Sequence, residues 1–163
     1  MRQLNCLFIM LFICMTSSYA LKNDLKEKIL IAADSGVYNY KTGIRIFEGN
    51  VKVDQGTTHV TSDRLITRNN KEHKIQEAIA YGIKTPAHYW TLQNPGEPEM
   101  HALAQIIKYY PLLSNVALEE NVEIIQAENN FKGPIILYNM NEQTITVPAA
   151  KNARAVLVYN PDK

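Results

Sequence analysis

Apolar and polar residues alternate along much of this chain. Single polar residues separate the members of four apolar pairs, Ile44/Ile46, Val51/Val53, Val122/Ile124 and Ile145/Val147. A period of two, with one apolar and one polar face, is typical of half-buried antiparallel strands. Turn-forming residues interrupt the alternation at 41–43, 48–50, 69–71, 94–96 and 139–141. Short strands separated by such turns predict an all-β domain built from hairpins.

A helical interpretation has one candidate segment, residues 21–29. Leu21, Leu25 and Ile29 follow each other at intervals of four, which places them on one face of a helix. A frayed arm that leads into a strand at 29–31 explains the same segment equally well. The sequence leaves both interpretations open.

The first 20 residues have the pattern of a secretory signal peptide. Arg2 supplies a positive charge, an apolar stretch follows from Leu4 to Met15, and the small residues Ser18 and Ala20 occupy positions −3 and −1 of a cleavage site. The apolar stretch is shorter than the roughly 20 residues of a membrane-spanning helix. We therefore expect cleavage after Ala20 and export of the remaining chain, and an uncleaved membrane anchor is the alternative.

Composition then limits what the exported chain does. Cleavage leaves 163 − 20 = 143 residues, residues 21–163, which is the length of a single domain. Both cysteines, Cys6 and Cys14, lie in the removed segment, so the rest has neither a disulfide nor a thiolate metal site. Its 17 − 1 = 16 basic residues balance 16 acidic ones. This balance argues against a nucleic-acid partner, because phosphate binding depends on an excess of cations.

Catalytic and metal-binding motifs are absent from the sequence. The G-x-S-x-G, H-E-x-x-H and P-loop patterns do not occur. Glu119 and Glu120 fit a solvated turn better than a glycosidase pair. The four histidines lack metal-ligand spacing: His59, His73, His88 and His101. We predict neither an enzyme nor a protein with a cofactor or metal. For Trp90, anchoring a groove and capping the core both remain open.

One short motif occurs twice. The segments FEGNVKVDQG (47–56) and LEENVEIIQA (118–127) share N-V-x-[VI]-x-Q, with Asn50 and Asn121 separated by 121 − 50 = 71 residues. Shorter units, each a small residue followed by a strand, a turn and a second strand, begin at 33, 62, 104 and 133. A hairpin unit cannot bury its apolar face alone, so we expect the units to stack on one another.

Stacked hairpins direct alternate residues into one shared interior. The predicted interior residues are Ile29, Ile31, Tyr38, Ile46, Val51, Val53, Val60, Leu65, Tyr89, Ile107, Tyr109, Leu118, Val122 and Ile124. These side chains either form an ordinary sandwich core or leave an apolar slot that acyl chains fill. The pattern alone does not choose between the two.

Two segments resemble the OstA-like family of periplasmic lipopolysaccharide-transport proteins, the LptA family. They are GIRIFEGNVKVDQGTTHVTSDRLI (43–66) and AYGIKTPAHY (80–89). The motif G-N-V-x-[VI]-x-Q-G is intact at 49–56, and Ser62-Asp63 and the Y-G…P-A segment at 81–87 follow it. The second copy departs from the motif, with Glu120 and Ala127 in place of glycine. In outline the similarity extends from residue 29 to about residue 160.

The resemblance implies a slightly open antiparallel β-jellyroll with an apolar groove that binds the lipid A part of lipopolysaccharide. It also implies head-to-tail self-association and a bridge with inner-membrane LptC and outer-membrane LptD. In such a bridge the strands at 155–160 and 29–31 would offer open edges. The residues predicted to bind lipid are the interior set without Val60 and Leu118, and the resemblance points most directly to Ile29, Ile31, Tyr38, Tyr89 and Tyr109. An LptC-like anchored relative and a β-domain without a ligand are the rival interpretations.

Overall fold

The computed structural model describes residues 26–149 and 154–158, and this part of the chain contains twelve β-strands. Their bounds are β1 Leu30–Ala32, β2 Ser35–Asn39, β3 Ile44–Gln55, β4 Thr58–Asn69, β5 Ile75–Tyr81, β6 Ala87–Thr91, β7 Met100–Ala104, β8 Ile106–Tyr110, β9 Asn115–Gln126, β10 Asn129–Asn139, β11 Thr144–Thr146 and β12 Val156–Val158. A short 3-10 helix, Pro111–Leu113, joins β8 to β9. Residue 26 has a 3-10 conformation and residues 27–29 are not helical, whereas the signal peptide and the rest of the predicted helix lie outside the described residues.

Each of the four long strands, β3, β4, β9 and β10, contributes to two sheets. Sheet A has the order β1–β3–β4–β6–β7–β9–β10–β12 and contains one half of every long strand. Sheet B has the order β2–β3–β4–β5–β8–β9–β10–β11 and contains the other halves. All neighbours are antiparallel. The predicted all-β antiparallel jellyroll is confirmed, and its two layers enclose one interior.

The long strands change sheet at irregular residues. In β3 an extra residue lies between Glu48 and Val51, where Gly49 has φ 80° and Asn50 has φ 45°. In β9 the same shift occurs at Glu120 (φ 66°) and Asn121 (φ 55°). A bulge with left-handed residues bends a strand, and glycine and asparagine adopt that conformation at least cost. The repeated motif therefore encodes a corner. The turn predicted at 48–50 is wrong, because β3 continues through it as a bulge.

Backbone hydrogen bonds link these corners into one row along the molecule. The Asp34 N–H donates to Gly49 O (2.9 Å), the Gly82 N–H to Gln105 O (2.8 Å), and the Gln105 N–H to Glu120 O (3.0 Å). The units that begin at 33, 62, 104 and 133 all start on this row, which explains their spacing. We call this line of hydrogen-bonded corners the corner row. The hairpin turns of both sheets lie at the other ends of the strands.

The apolar core lies between the two sheets. Its buried members are Val51, Leu65, Ala80, Ala87, Tyr89, Met100, Ala102, Ala104, Ile107, Val116, Leu118, Val122, Ile124, Ile136 and Tyr138. The edge strands lie outside it: β1 and β2 end the two sheets on one side, and β11 and β12 end them on the other. Val37 in β2 and Leu157 in β12 are 69% and 58% exposed, so both ends of the molecule present apolar edges.

Candidate binding cavity between the sheets

An apolar cavity of about 60 Å³ lies between the sheets, toward the β1 and β2 end. Its lining residues are Ile29, Ile31, Val53, Gln55, Thr58, Val60, Leu65, Thr67, Ile75, Ala78, Ala80, Tyr89, Ile107 and Tyr109. Alternate positions of the paired strands supply these residues, because successive side chains of a strand point to opposite faces. Both sheets contribute to the walls.

The predicted lipid-binding residues fall into three groups. Seven line the cavity: Ile29, Ile31, Val53, Leu65, Tyr89, Ile107 and Tyr109. Three others lie in the adjoining core: Val51, Val122 and Ile124. Tyr38 and Ile46 belong to neither group. Lipid contact remains a proposal for all twelve.

The position of Ile46 follows from the alternation of β3. Its neighbour Phe47 packs against the core, so the Ile46 side chain points to the outer face, next to its cross-strand partner Val37. Tyr38 lies on the edge strand β2, where its ring centroid is 4.1 Å from that of Tyr40. The sequence predicts Ile46 as inward because it is apolar and alternates with Ile44, but the inward residue of this stretch is Phe47.

The space between the sheets is smaller than the sequence hypothesis requires. A volume of about 60 Å³ holds a few water molecules but not an acyl chain. Tyr89, only 2% exposed, is among the side chains that fill the interior. Whether acyl chains enter this space therefore stays a prediction, since their entry requires the sheets to move apart. The cavity reaches the surface at Ile29, which lines it and is 39% exposed.

Several polar side chains lie in this apolar site, and the alternation of apolar residues in the sequence does not indicate them. The hydroxyls of Thr58 and Thr91 are hydrogen-bonded to each other at 3.0 Å. Gln55 donates through Nε2 to Glu27 O at 3.2 Å. Thr67, 1% exposed, has a hydroxyl without a hydrogen-bond partner in the described structure. Burial raises the pKa of the Tyr89 hydroxyl well above its ordinary value of 10.0, so this group stays protonated.

A polar connection spans the two sheets farther along the interior. Gln93, in the loop between β6 and β7, donates through Nε2 to Tyr138 Oη of β10 at 2.7 Å. Gln126 Nε2 donates to Gln93 Oε1 at 2.9 Å. Burial raises the pKa of Tyr138, and the Gln93 hydrogen bond partly opposes that effect. We call these three side chains the clasp, because they connect the loop after β6 to both β9 and β10.

Trp90 lies on the outer face of sheet A and neither anchors the groove nor caps the core. Tyr89 and Thr91 on either side of it are buried, so Trp90 points outward. Its ring centroid is 5.0 Å from that of His59 and 4.6 Å from that of His88. His88 Nε2 is 3.1 Å from His101 Nδ1. Sequence spacing did not predict this cluster, since three different strands bring it together.

Two general features of the described residues complete the geometry. No group of three or more histidine, cysteine or carboxylate side chains among them is arranged to hold a metal ion. The same residues include no helix with the length and apolar character needed to cross a membrane.

Comparison with known proteins places this geometry in a group of relatives. The chain is 27% identical over 135 residues to the lipopolysaccharide export system protein LptH of Pseudomonas aeruginosa, covering 83% of this chain and 76% of that protein. It is 28% identical over 148 residues to LptA of Escherichia coli K12, covering 90% and 78% respectively. The crystal structure of the Pseudomonas LptH, described as a periplasmic component, superimposes with a TM-score of 0.79 at 25% identity and covers 85% of this chain and 99% of that one.

A family model described as LptA/(LptD N-terminal domain) LPS transport protein matches residues 30–144. The match extends from β1 to the start of β11 and so includes the corner row, the clasp and every cavity-lining residue except Ile29. The chain therefore belongs to the family of LptA and the LptD N-terminal domain, the lipopolysaccharide-transport proteins.

Proposed function

We propose that this chain is a periplasmic lipopolysaccharide-binding transport protein that holds the acyl chains of lipid A between its two sheets. Family membership supports the proposal, as do relatives named lipopolysaccharide export system proteins. The observation that carries it is the apolar cavity, which seven of the predicted residues line and which reaches the surface at Ile29. Binding needs no catalytic group, because burial of the acyl chains supplies the free energy.

The free energy of acyl burial is large enough to open the interior. Each buried methylene contributes about 0.8 kcal/mol, so a chain of about 12 carbons gains on the order of 10 kcal/mol. The cost is the packing lost when the sheets separate. Strand β1 is the weakest part of the wall, since it has three residues and pairs with β3 alone. We therefore assign the opening to the side formed by Ile29 and Ile31.

Export and assembly form the finer part of the proposal. The leader 1–20 directs the chain to the periplasm and is cleaved after Ala20. Copies join head to tail by pairing an edge strand of one end, β1 or β2, with β11 or β12 of the next copy. Such contacts do not close on themselves and so extend into a bridge, with LptC at the inner membrane and LptD at the outer membrane.

The small volume of the cavity favours a second candidate, a β-domain with a filled interior and no ligand. An LptC-like anchored relative differs from both in keeping its N-terminal segment. Mass spectrometry of the exported protein distinguishes that relative, because a mature chain that starts at Leu21 excludes the anchor.

Site-specific photo-crosslinking tests lipid binding directly. A photoreactive residue at Ile31, on the cavity wall, is expected to capture lipopolysaccharide. The same residue at Ile46, on the outer face of β3, and at Ile83, which is 71% exposed, is expected to capture none. Equal capture at Ile31 and Ile83, or no capture at Ile31, favours the β-domain without a ligand.

A further inference from the structure

The outer face of sheet A carries two histidines whose ring nitrogens face each other. His88 of β6 and His101 of β7 form a diagonal pair on adjacent antiparallel strands, since the cross-strand partner of His88 is Leu103. His88 Nε2 is 3.1 Å from His101 Nδ1. The ring centroids are 5.3 Å apart, 5.3 − 3.1 = 2.2 Å more than the nitrogens, and the ring planes differ by 24°. The two nitrogens therefore point almost directly at each other, and a single N–H···N hydrogen bond satisfies both.

Glu99 determines which nitrogen of His101 carries the proton. Its Oε2 lies 3.6 Å from His101 Nε2. A carboxylate favours the proton on the nearer ring nitrogen, so Nδ1 of His101 keeps its lone pair directed toward His88. Histidines that bind metal ions almost always have their other N–H directed to a carboxylate, a carbonyl or water. His101 thus has the outer partner of a metal ligand.

The distance between the two nitrogens suits a transition-metal ion. Bonds from Zn²⁺ to histidine nitrogen are about 2.0–2.1 Å long, so two of them span the 3.1 Å separation with an angle of about 100° at the metal. This angle lies between those of octahedral and tetrahedral coordination. The nitrogens can keep their separation, while each ring turns its lone pair toward the ion in place of the hydrogen bond. The His101 side chain is 40% exposed, so water reaches the remaining coordination positions.

The ligand atoms limit the kind of ion. Imidazole nitrogen binds zinc, copper and nickel, whereas magnesium and calcium require oxygen ligands. The third histidine of this face is held elsewhere, because His59 Nδ1 lies 2.6 Å from Asp54 Oδ1 and its ring stacks on Trp90. The site therefore consists of two protein ligands, His88 and His101.

We propose that His88 and His101 bind a divalent transition-metal ion of the zinc, copper and nickel class, with Glu99 as the outer partner of His101 and water in the remaining positions. The inference is independent of lipid binding, because the pair lies on the outer face of sheet A and not between the sheets. A bound ion would join β6 to β7 and so hold the hairpin whose loop carries Gln93 of the clasp. The sequence predicts no such site, because 13 residues separate the two histidines and only the register of β6 and β7 brings them together.

Calorimetric titration with Zn²⁺ alone tests the proposal, on exported protein produced without a histidine tag. We expect one ion per chain, and His101→Gln should abolish this binding because a single imidazole cannot chelate the ion. Glu99→Gln should weaken it roughly ten-fold by removing the outer partner of His101. His73→Gln is the matched control, since His73 is an exposed histidine in the turn before β5, and it should leave the affinity unchanged. Absence of binding, or equal losses in His73→Gln and His101→Gln, overturns the proposal.

Thermal unfolding provides a second measurement. Zn²⁺ should raise the midpoint of the wild type, because an ion that binds the folded state preferentially stabilises it. This rise should disappear in His101→Gln and on addition of a chelator, and the midpoint of His101→Gln without metal verifies that the variant folds. Cu²⁺ should bind more tightly than Zn²⁺, and Mg²⁺ should not compete with either. A rise that persists in His101→Gln, or displacement of Zn²⁺ by Mg²⁺, contradicts a site built from these two imidazoles.

Discussion

Asn50 and Asn121 occupy equivalent corners of the molecule, 71 residues apart, and both have a left-handed backbone, with φ of 45° and 55°. At each of them a long strand leaves one sheet and enters the other. Asn50 also donates through Nδ2 to Asp34 Oδ2 at 2.8 Å, which fixes the link between β1 and β2 against the corner. The same bend, present twice, thus joins the two sheets along the corner row. This arrangement sets the space between the sheets.

Gly49→Ala tests the first corner. Gly49 has φ 80°, and an added Cβ would overlap the Asp34 carboxylate, so we expect a loss of about 2–4 kcal/mol in the free energy of unfolding. Gly96→Ala is the control: Gly96 has φ 86° but no atom within 4 Å of an added Cβ, so only the backbone cost of about 1 kcal/mol applies. Urea denaturation measures both. Equal losses would show that contact with Asp34 is unimportant.

The turns after the two motif copies allow a reciprocal exchange. Gly56 and Ala127 lie at equivalent positions with φ of 58° and 52°. Alanine is strained in this region, so Ala127→Gly should stabilise the protein by about 0.5 kcal/mol and Gly56→Ala should destabilise it by a similar amount. Chemical denaturation of both variants measures whether each substitution raises or lowers the free energy of unfolding. A loss of stability in Ala127→Gly would mean that the methyl group makes contacts that outweigh the strain.

Alternation of apolar residues was enough to predict the strand class and most of the cavity wall, because side chains on one face of a strand must alternate. It failed where the chain departs from a regular strand. The apolar pair Ile44 and Ile46 predicts the wrong face of β3, because Phe47 supplies the inward side chain. The strands that carry Met100 and Ile136, both buried, were only partly recognised because short apolar runs such as MHALA lack a clear period.

The polar part of the site could not be predicted from the sequence at all. Thr67 looks like an ordinary β-former, and its lack of a partner depends on which atoms of the opposite strands surround it. Gln93 directly precedes the turn predicted at 94–96, yet its side chain reaches across to Tyr138. Contacts between residues 45 positions apart, such as this one, depend on the relative placement of the sheets.

The outer-face histidine cluster predicts a pH dependence of stability. Burial, and then the neighbouring His101, lower the pKa of His88 below its ordinary value of 6.5. The unfolded chain therefore takes up this proton at a higher pH than the folded protein does. The contribution of His88 to the free energy of unfolding is at its maximum above about pH 6.5. It decreases as the pH falls from there through the pKa of His88 in the folded protein.

His88→Gln should flatten that dependence, because it removes the group whose protonation opposes folding. Thermal unfolding between about pH 7 and about pH 5 measures the change. The charged and titratable neighbours stay in place in the variant: His101, which faces His88 from β7, and Glu99, whose Oε2 lies 3.6 Å from His101 Nε2. A wild-type slope in the variant would assign the dependence to these neighbours.

Removal of residues 155–163 should reduce self-association, since it deletes β12, the last strand of sheet A. Val156, Leu157 and Val158 are about half exposed, as expected for an edge that pairs with another copy. Leu157→Lys is a milder variant that should act in the same direction, because charge on an edge strand opposes pairing. Light scattering gives the oligomer size, and crosslinking of lipopolysaccharide at Ile31 should persist. An unchanged size in both variants would reject assembly through this edge.

The clasp makes the relation between the two sheets measurable. Gln93 Nε2 donates to Tyr138 Oη at 2.7 Å, so Gln93→Leu takes this donor from the buried Tyr138 hydroxyl, and Tyr138→Phe leaves Gln93 Nε2 with only Met100 Sδ at 3.4 Å. We expect Gln93→Leu and Tyr138→Phe each to lower the free energy of unfolding by about 1–2 kcal/mol, and the double variant to lose less than their sum. A double-mutant cycle should give a coupling of about 1 kcal/mol.

If the sheets separate to admit acyl chains, the same variants should take up lipopolysaccharide faster than the wild type, because the hydrogen bond that resists separation is gone. A coupling near zero, with an unchanged uptake rate, would show that this contact does not hold the sheets together.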